Sequence, residues 1–339
     1  MRRWLVQLLI GASLALAVVG CGSSTEEAGQ FARVPGLTVF TRGVDIWMHD
    51  EQGERLLIQA GEDQQLLSPT LDPDGRRIAF IIFQLSSGEG FFVGASLALY
   101  DPDDTANPVR VLLRHGQAGE YYWNPRWSTD GRLLVFSHEA PNLEIRIEQL
   151  TVEGGQATVL RERARSGELA PAGDRLVFID DPYGGDPRIA IRDLTSGEER
   201  LLDPAGEWEP RPYRIPRWTP DGRSVVFAAG QVLPQISSAP QLSALMNGPE
   251  DIWHVDVESG RLTLLAAVTE DQPDFAISSD GRHVLIIGAF GLYLASIPPT
   301  EPPYAFAVGE FHGGIDWIGA VSEDDLAAIR DSVLSDSAR

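Results

Sequence analysis

The stretch N-P-R-W-S-T-D-G-R-L-L-V-F, from Asn124 to Phe136, recurs in altered form four more times along the chain. The copies are S-P-T-L-D-P-D-G-R-R-I-A-F (Ser68 to Phe80), G-E-L-A-P-A-G-D-R-L-V-F (Gly167 to Phe178), I-P-R-W-T-P-D-G-R-S-V-V-F (Ile215 to Phe227) and D-F-A-I-S-S-D-G-R-H-V-L-I (Asp274 to Ile286). Each joins a short apolar element to an Asp-Gly-type turn and a second apolar run, the pattern of a β-hairpin whose turn tolerates positive φ. The turn glycines, Gly75, Gly131, Gly173, Gly222 and Gly281, are 42 to 59 residues apart. A period of that size built from short strands implies a propeller, because one blade cannot bury both faces of its sheet and must stack on its neighbours.

Five full blades are expected at 65–114, 122–161, 167–203, 215–266 and 273–308. A sixth starts at Leu37 with L-T-V-F-T, V-D-I-W-M-H-D and E-R-L-L-I-Q but lacks its first strand. G-I-D-W-I-G, Gly314 to Gly319, places Trp317 where Trp127 and Trp218 stand in their repeats, and no full blade follows it. The expected fold is therefore all-β, a six-bladed propeller of four-stranded antiparallel blades whose ring is closed by N- and C-terminal strands sharing one blade. After it, Ser322 precedes three acids, and Leu326, Ile329, Val333 and Leu334 recur at helical spacing. This predicts one short helix, either packed on the ring over the closure or offering its stripe to a partner.

Residues 1–20 read as a leader: Arg2 and Arg3, then an apolar run from Trp4 to Val19, shorter than the roughly 20 residues a span needs. Val18-Val19-Gly20-Cys21 resembles a bacterial lipobox, which implies that the Cys21 thiol carries a diacylglycerol and becomes the N-terminus. Residues 21–36 then form a tether of small and polar composition, 37–320 the propeller and 321–339 the C-terminal helix and tail. Cys21 is the only cysteine in the sequence, so no disulfide within the chain is expected. The formal charge of −22, or −24 without Arg2 and Arg3, argues against nucleic acid and against a polybasic membrane contact.

The P-x-W-S-x-D-G-x-x-x-x-F pattern resembles the WD40-like (PD40) repeats of the TolB family, periplasmic six-bladed propellers of bacterial envelopes. The same repeat occurs in the propeller domains of prolyl-oligopeptidase-type enzymes. The resemblance covers Leu37 to Gly319 and implies a role in envelope assembly or a transport complex. The copy at 167–178 departs from the pattern, with Ala172-Gly173-Asp174 for Asp-Gly and Leu169 for tryptophan.

No G-x-S-x-G occurs, and about twenty residues follow Gly319, far short of a hydrolase domain, so no catalytic residue is assigned and the chain reads as non-enzymatic. His49, His115, His138, His254, His283 and His312 show no metal spacing, and no metal or cofactor is assigned, although a propeller can gather distant residues at its axis. Asp101-Pro102-Asp103-Asp104 and Asp180 to Asp186 invite a calcium reading, which competes with the turn-forming habit of Asp itself. Trp127 and Trp218 read as wedges between blades.

With the Asp-Gly turns on one face, the loops between second and third strands and between blades must emerge on the other. Tyr121, Tyr122, Trp123, Tyr183, Trp208, Arg211, Tyr213 and Arg214 are expected to share that face as a partner-binding surface, together with Phe91, Phe92 and Phe311. Aromatic rings and arginine on loops suit protein recognition, and the alternative is that some rings fold inward over the strand ends. The leading expectation is a lipid-anchored monomer of the bacterial cell envelope that binds a protein or peptide. The alternatives are a carbohydrate-binding or sugar-lyase propeller acting on glycans, signalled by His and acids converging at the axis, and a structural spacer.

Overall fold

A computed structural model of the chain describes residues 34–86, 92–181, 187–202, 213–230, 250–270, 272–288, 291–308 and 313–336. They form six four-stranded antiparallel sheets arranged as blades, followed by one α-helix. Blade 1 consists of Leu37–Arg42, Asp45–Asp50 and Gly53–Ile58, and its innermost strand is Ile315–Ile318 from the far end of the chain. The closure has the expected register, with Val39 opposite Asp316 and Thr38 opposite Trp317. Trp317 Nε1 also donates to the Pro35 carbonyl at 2.8 Å, which pins the lead into blade 1 against the closing strand.

Six hydrophobic clusters hold the ring, and each lies between two neighbouring blades rather than inside one. Leu71, Ile78 and Phe80 of blade 2 meet Val39 and Ile46 of blade 1, whereas Ala79, Ile81 and Leu97 on the opposite face of that sheet meet Tyr122, Leu134 and Phe136 of blade 3. Period-two alternation thus supplies both neighbours from one strand. The repeat phenylalanines Phe40, Phe80, Phe136, Phe178 and Phe227 are all fully buried.

The turns follow from their residues. Gly131 and Gly222 sit at φ of 67° and 66°, a region that costs other residues energy. Ser128 donates to Asp130 at 2.6 Å and Thr219 to Asp221 at the same distance, so a hydroxyl and a carboxylate close each turn. The divergent copy keeps the turn, with Gly173 at φ 73° and its N–H donating to the Ala170 carbonyl, although Ala170 and Ala172 replace both the hydroxyl and the carboxylate. Neighbouring turns are latched: Arg175 lies 4.7 Å from the Trp218 ring and donates to the Gly222 carbonyl, and Arg77 does the same with Trp127 and Gly131. The tryptophans are wedges, as expected, and also donors, Trp127 Nε1 to Thr70 O and Trp218 Nε1 to Glu168 O.

The helix Glu323–Asp336 is capped by Ser322, whose Oγ accepts from the Asp325 N–H while Asp325 accepts from the Ser322 N–H and hydroxyl. Leu326 and Ile329 join the cluster that contains Trp317, and Arg330 donates to the Tyr304 hydroxyl at 2.8 Å. The helix therefore packs over the closure. The side chains of Val333 and Leu334 lie outside the described residues.

Candidate functional site

Each blade's innermost strand runs toward its Asp-Gly-type turn, so it begins at the opposite, loop face. There blade 3 brings together an aromatic stack, a buried charge cluster and a groove.

Tyr121 and Trp123 stack with ring centres 5.3 Å apart, and Phe83 of blade 2 lies 5.2 Å from Trp123. Both Tyr121 and Trp123 are half-buried. Tyr122, pointing the other way, is 7% exposed, stacks on His138 and meets Phe136 edge-on. Tyr213 is its counterpart in blade 5, 1% exposed and edge-on to Phe227. The expectation that Tyr122 and Tyr213 lie on a shared surface is thus corrected. Each points inward from the start of its innermost strand and packs on the repeat phenylalanine, because burying that ring stabilises more than leaving it in water. Arg214 donates to Glu250 at 2.7 Å, and Glu250 is fully buried. Tyr183, Trp208, Arg211, Phe91 and Phe311 lie outside the described residues, as does the side chain of Phe92.

Beneath the Tyr122 ring, His138 bridges two carboxylates, with Nδ1 3.1 Å from Glu148 Oε1 and Nε2 3.1 Å from Glu120 Oε1. Arg146 Nε donates to the same Glu148 oxygen at 2.5 Å. Burial raises the Glu148 carboxyl, but the bonds from His138 and Arg146 outweigh it and leave Glu148 below its ordinary value. Burial likewise raises Glu120, and the Gly116 N–H with His138 turns that into a net lowering. Burial, reinforced by these two acids, pushes the Tyr122 hydroxyl up to about 12. The cluster ties the loop at 116–120 to blade 3, and nothing in the sequence spacing announced it.

Between blades 3 and 4 the same face opens into a groove of about 600 Å³, lined by Leu143, Glu144, Arg146, Glu162, Arg163 and Asp181 among others. Leu143, at its lip, has φ of 68° and is 57% exposed. It stands in the hairpin turn closed by its N–H to the Ala140 carbonyl and by the Ala140 N–H to the Glu144 carbonyl, and the αL backbone there costs a branched apolar residue about 1–2 kcal/mol.

A second assembly lies on the axis. In four blades the innermost strand carries a bulge at a residue of positive φ: Ser68 (52°), Asn124 (45°), Ser166 (52°) and Ile215 (41°). The residues two positions on are Thr70, Arg126, Glu168 and Arg217, and Asp316 holds the same register in blade 1. Asp316 Oδ2 accepts from Thr70 Oγ1 and from the Leu71 N–H, both at 2.8 Å, while Oδ1 accepts from the Trp317 N–H. Glu168 accepts from the Trp218 N–H at 2.7 Å, and Arg217 pairs with Asp274 of blade 6 at 3.0 Å. Carboxylates thereby bond the unpaired N–H groups that innermost strands turn to the channel. Arg126 interacts electrostatically with Arg217, Asp274, Asp316 and Glu168, groups from four other blades that can meet only at the centre. No histidine belongs to this set, and no grouping of three or more His, Cys, Asp or Glu suited to a metal occurs among the described residues. The acids at 101–104 are engaged in turns: Asp101 accepts from the Asp103 N–H, and Asp103 pairs with Arg76. No helix among the described residues is long and apolar enough to cross a membrane.

No protein-family model and no curated protein matches the chain. Among solved structures it is similar to TolB from Acinetobacter baumannii, with 18% identity, a TM-score of 0.57 and coverage of 84% of this chain and 67% of that one. The putative TolB from Agrobacterium tumefaciens gives 16% identity, a TM-score of 0.55 and coverage of 82% and 90%. An oligogalacturonate lyase from Vibrio parahaemolyticus gives 15%, 0.50, and coverage of 75% and 72%. That last likeness corrects the expectation of a non-enzymatic chain. The match covers 72% of that lyase, so the propeller fold by itself does not argue against catalysis. Together the likenesses establish the fold, a TolB-like six-bladed β-propeller.

Proposed function

We propose that the chain is a protein- or peptide-binding propeller of the bacterial cell envelope, anchored through lipid on Cys21, and that its partner lies along the groove between blades 3 and 4. The observation that carries this reading is Leu143, an apolar side chain held in solvent at positive φ beside a groove whose walls offer both Arg163 and acids. An extended segment could seat an apolar residue against Leu143 and have its polar groups matched by either sign of charge, the arrangement of an apolar centre with a polar rim. The half-buried Tyr121–Trp123 stack, Arg214, and the loop residues Tyr183, Trp208 and Arg211 belong to the same proposed face. The TolB-like fold supports an envelope setting, and the lipobox-like Val18 to Cys21 supports the anchor.

The test places a photo-crosslinking residue at Leu143 in the full chain, expressed in a bacterial envelope, with a control at Leu264, an exposed outer-strand position in blade 5. A discrete protein adduct at 143, missing at 264 and abolished by Arg163→Glu, is expected; equal labelling at both positions refutes the groove. Separately, Cys21→Ser should move the protein out of the membrane fraction, and retention there refutes the lipid anchor.

A further inference from the structure

Arg146 stands in two places at once. Its side chain lines the groove between blades 3 and 4, and its guanidinium also reaches into the buried His138 cluster. There Nε donates to Glu148 Oε1, while Nη2 lies 3.1 Å from His138 Nδ1. The same Nδ1 lies 3.1 Å from Glu148 Oε1. An imidazole nitrogen either carries a hydrogen or offers a lone pair, whereas a guanidinium only donates and a carboxylate only accepts. Nδ1 can therefore serve Arg146 or Glu148, but not both together.

The other ring nitrogen decides which proton is in question. Nε2 is 3.1 Å from Glu120 Oε1, and Glu120 also accepts from the Gly116 N–H and the Tyr122 hydroxyl. Burial raises both Glu120 and Glu148, yet their hydrogen bonds leave both below the ordinary glutamate value, so each is a carboxylate at neutral pH and Nε2 keeps its hydrogen. In the neutral ring Nδ1 is bare and accepts from Arg146 Nη2. In the cation Nδ1–H turns to Glu148, and Nη2 is left facing a hydrogen instead of a lone pair. The charged ring also gives Glu148 a second cation, which weakens the reason for Arg146 to stay. The groups that face the ring are Glu120 and Tyr122, from the entry to the innermost strand of blade 3, and Arg146 and Glu148, from its third strand, Ile145–Thr151. His115, in the loop leading from blade 2, is bonded to Ser96 Oγ at 2.9 Å.

We propose that protonation of His138 at Nδ1 turns the Arg146 guanidinium out of the cluster and into the groove, so that the groove's hold on its partner tightens as pH falls. The second half rests on the groove being the partner site. The proton comes from water, the Nη2–Nδ1 hydrogen bond breaks, and the Nδ1–Glu148 bond forms. The freed guanidinium meets an acceptor oxygen of the bound segment, carboxylate or main-chain carbonyl, beside Arg163. Histidine is the side chain that changes charge between about pH 5 and 8, so the groove gains its extra donor within that range.

The probe is the proton itself, followed by NMR on the full chain carrying 15N in histidine and arginine, between about pH 8 and about pH 5.5. His138 Nδ1 should pass from a bare to a protonated nitrogen. Over the same midpoint, Nε–H exchange with water at Arg146 should quicken relative to that at Arg163 by at least about fivefold, the lower end of ordinary coupling between two sites. His138→Gln, with folding verified by circular dichroism, should hold that ratio constant. If the variant does not fold, contacts between the His138 and Tyr122 rings assign the resonance in the unaltered protein, and the shared midpoint decides. A ring whose protonation does not change over this range, or a ratio that ignores the His138 midpoint, overturns the switch. The photo-adduct at Leu143 should then grow by a similar factor toward low pH in the original protein and stay level in His138→Gln. A level adduct in both, with the exchange ratio moving, overturns the link to binding alone. No adduct at any pH refutes the groove as the partner site, and with it that link, while the exchange ratio still decides the switch.

Discussion

Asp316 is the residue on which ring closure can be tested most sharply. It stands on the strand that completes blade 1 from the far end of the chain, and both of its oxygens accept, from Thr70 Oγ1 and the Leu71 N–H on one side and from the Trp317 N–H on the other. Hydrogen bonds to a charged group contribute about 1.5–3 kcal/mol each, and a buried donor left alone costs about 1–3 kcal/mol. Because these bonds share one carboxylate they will not simply add, and Asp316→Ala should cost about 3–5 kcal/mol in all. For a chain of this size that corresponds to a fall in Tm on the order of 5–10 °C. The discriminating variant is Asp316→Asn. An amide has one acceptor, and two of the donors it would meet are backbone N–H groups that cannot turn away, so its NH2 must face an N–H whichever way it flips. Asp316→Asn should therefore lose nearly as much as Asp316→Ala. Urea unfolding with the m-value compared across variants measures this directly. An asparagine variant within about 0.5 kcal/mol of the original protein, the range of an ordinary surface substitution, would refute the argument.

Two further outcomes follow from the described geometry. Tyr213→Ala should cost about 3–5 kcal/mol, as removal of a fully buried aromatic does, and a urea midpoint unchanged from the original protein would return Tyr213 to the surface. Glu168→Gln keeps an acceptor for the Trp218 N–H but cannot ionise. Because burial raises the Glu168 carboxyl above its unfolded value, the ionised side chain lowers stability as pH rises through the folded value. The variant should thus be more stable than the original protein at pH 8, with the gap closing as pH falls toward about 4, the unfolded glutamate range. Thermal unfolding at several pH values checks this, and a variant less stable at pH 8 would contradict it.

Much of this architecture was legible because it rests on short-range chemistry. Gly131 and its equivalents announced the turns, Trp317 announced the closing strand, and Ser322 with Asp325 announced the helix start. The tyrosines are hard to place because Y-W-N-P-R-W and Y-R-I-P-R-W lie where an interblade loop passes into a strand. Tyr122 and Tyr213 each stand three residues before the repeat proline, and that shared offset was the available sign that they belong to the scaffold. The axial cluster could be seen only in part. Arg126, Glu168, Arg217 and Asp316 each fall one residue before the tryptophan position of their repeat, yet that they face one another across a channel follows from ring closure, which no local pattern encodes. Asp274 breaks even this rule, since the innermost strand of blade 6 lacks the bulge and puts Ala276 in that register. The His138 cluster draws on a loop and two strands with no common spacing, and was invisible for that reason.

The closing strand also fixes a direction. Leu37 opens the second strand of its blade, beside the turn glycine Gly75, so the chain enters the ring at the Asp-Gly face. The helix Glu323–Asp336 leaves from that face too, since the Gly319 carbonyl ahead of it accepts from Ser279 in the turn of blade 6. Any attachment made ahead of Val34 therefore pulls on the end of the ring away from the groove. A surface that held the protein by its N-terminus would look at turns and helix, while Leu143 and the groove would be presented outward, toward molecules arriving from the open side.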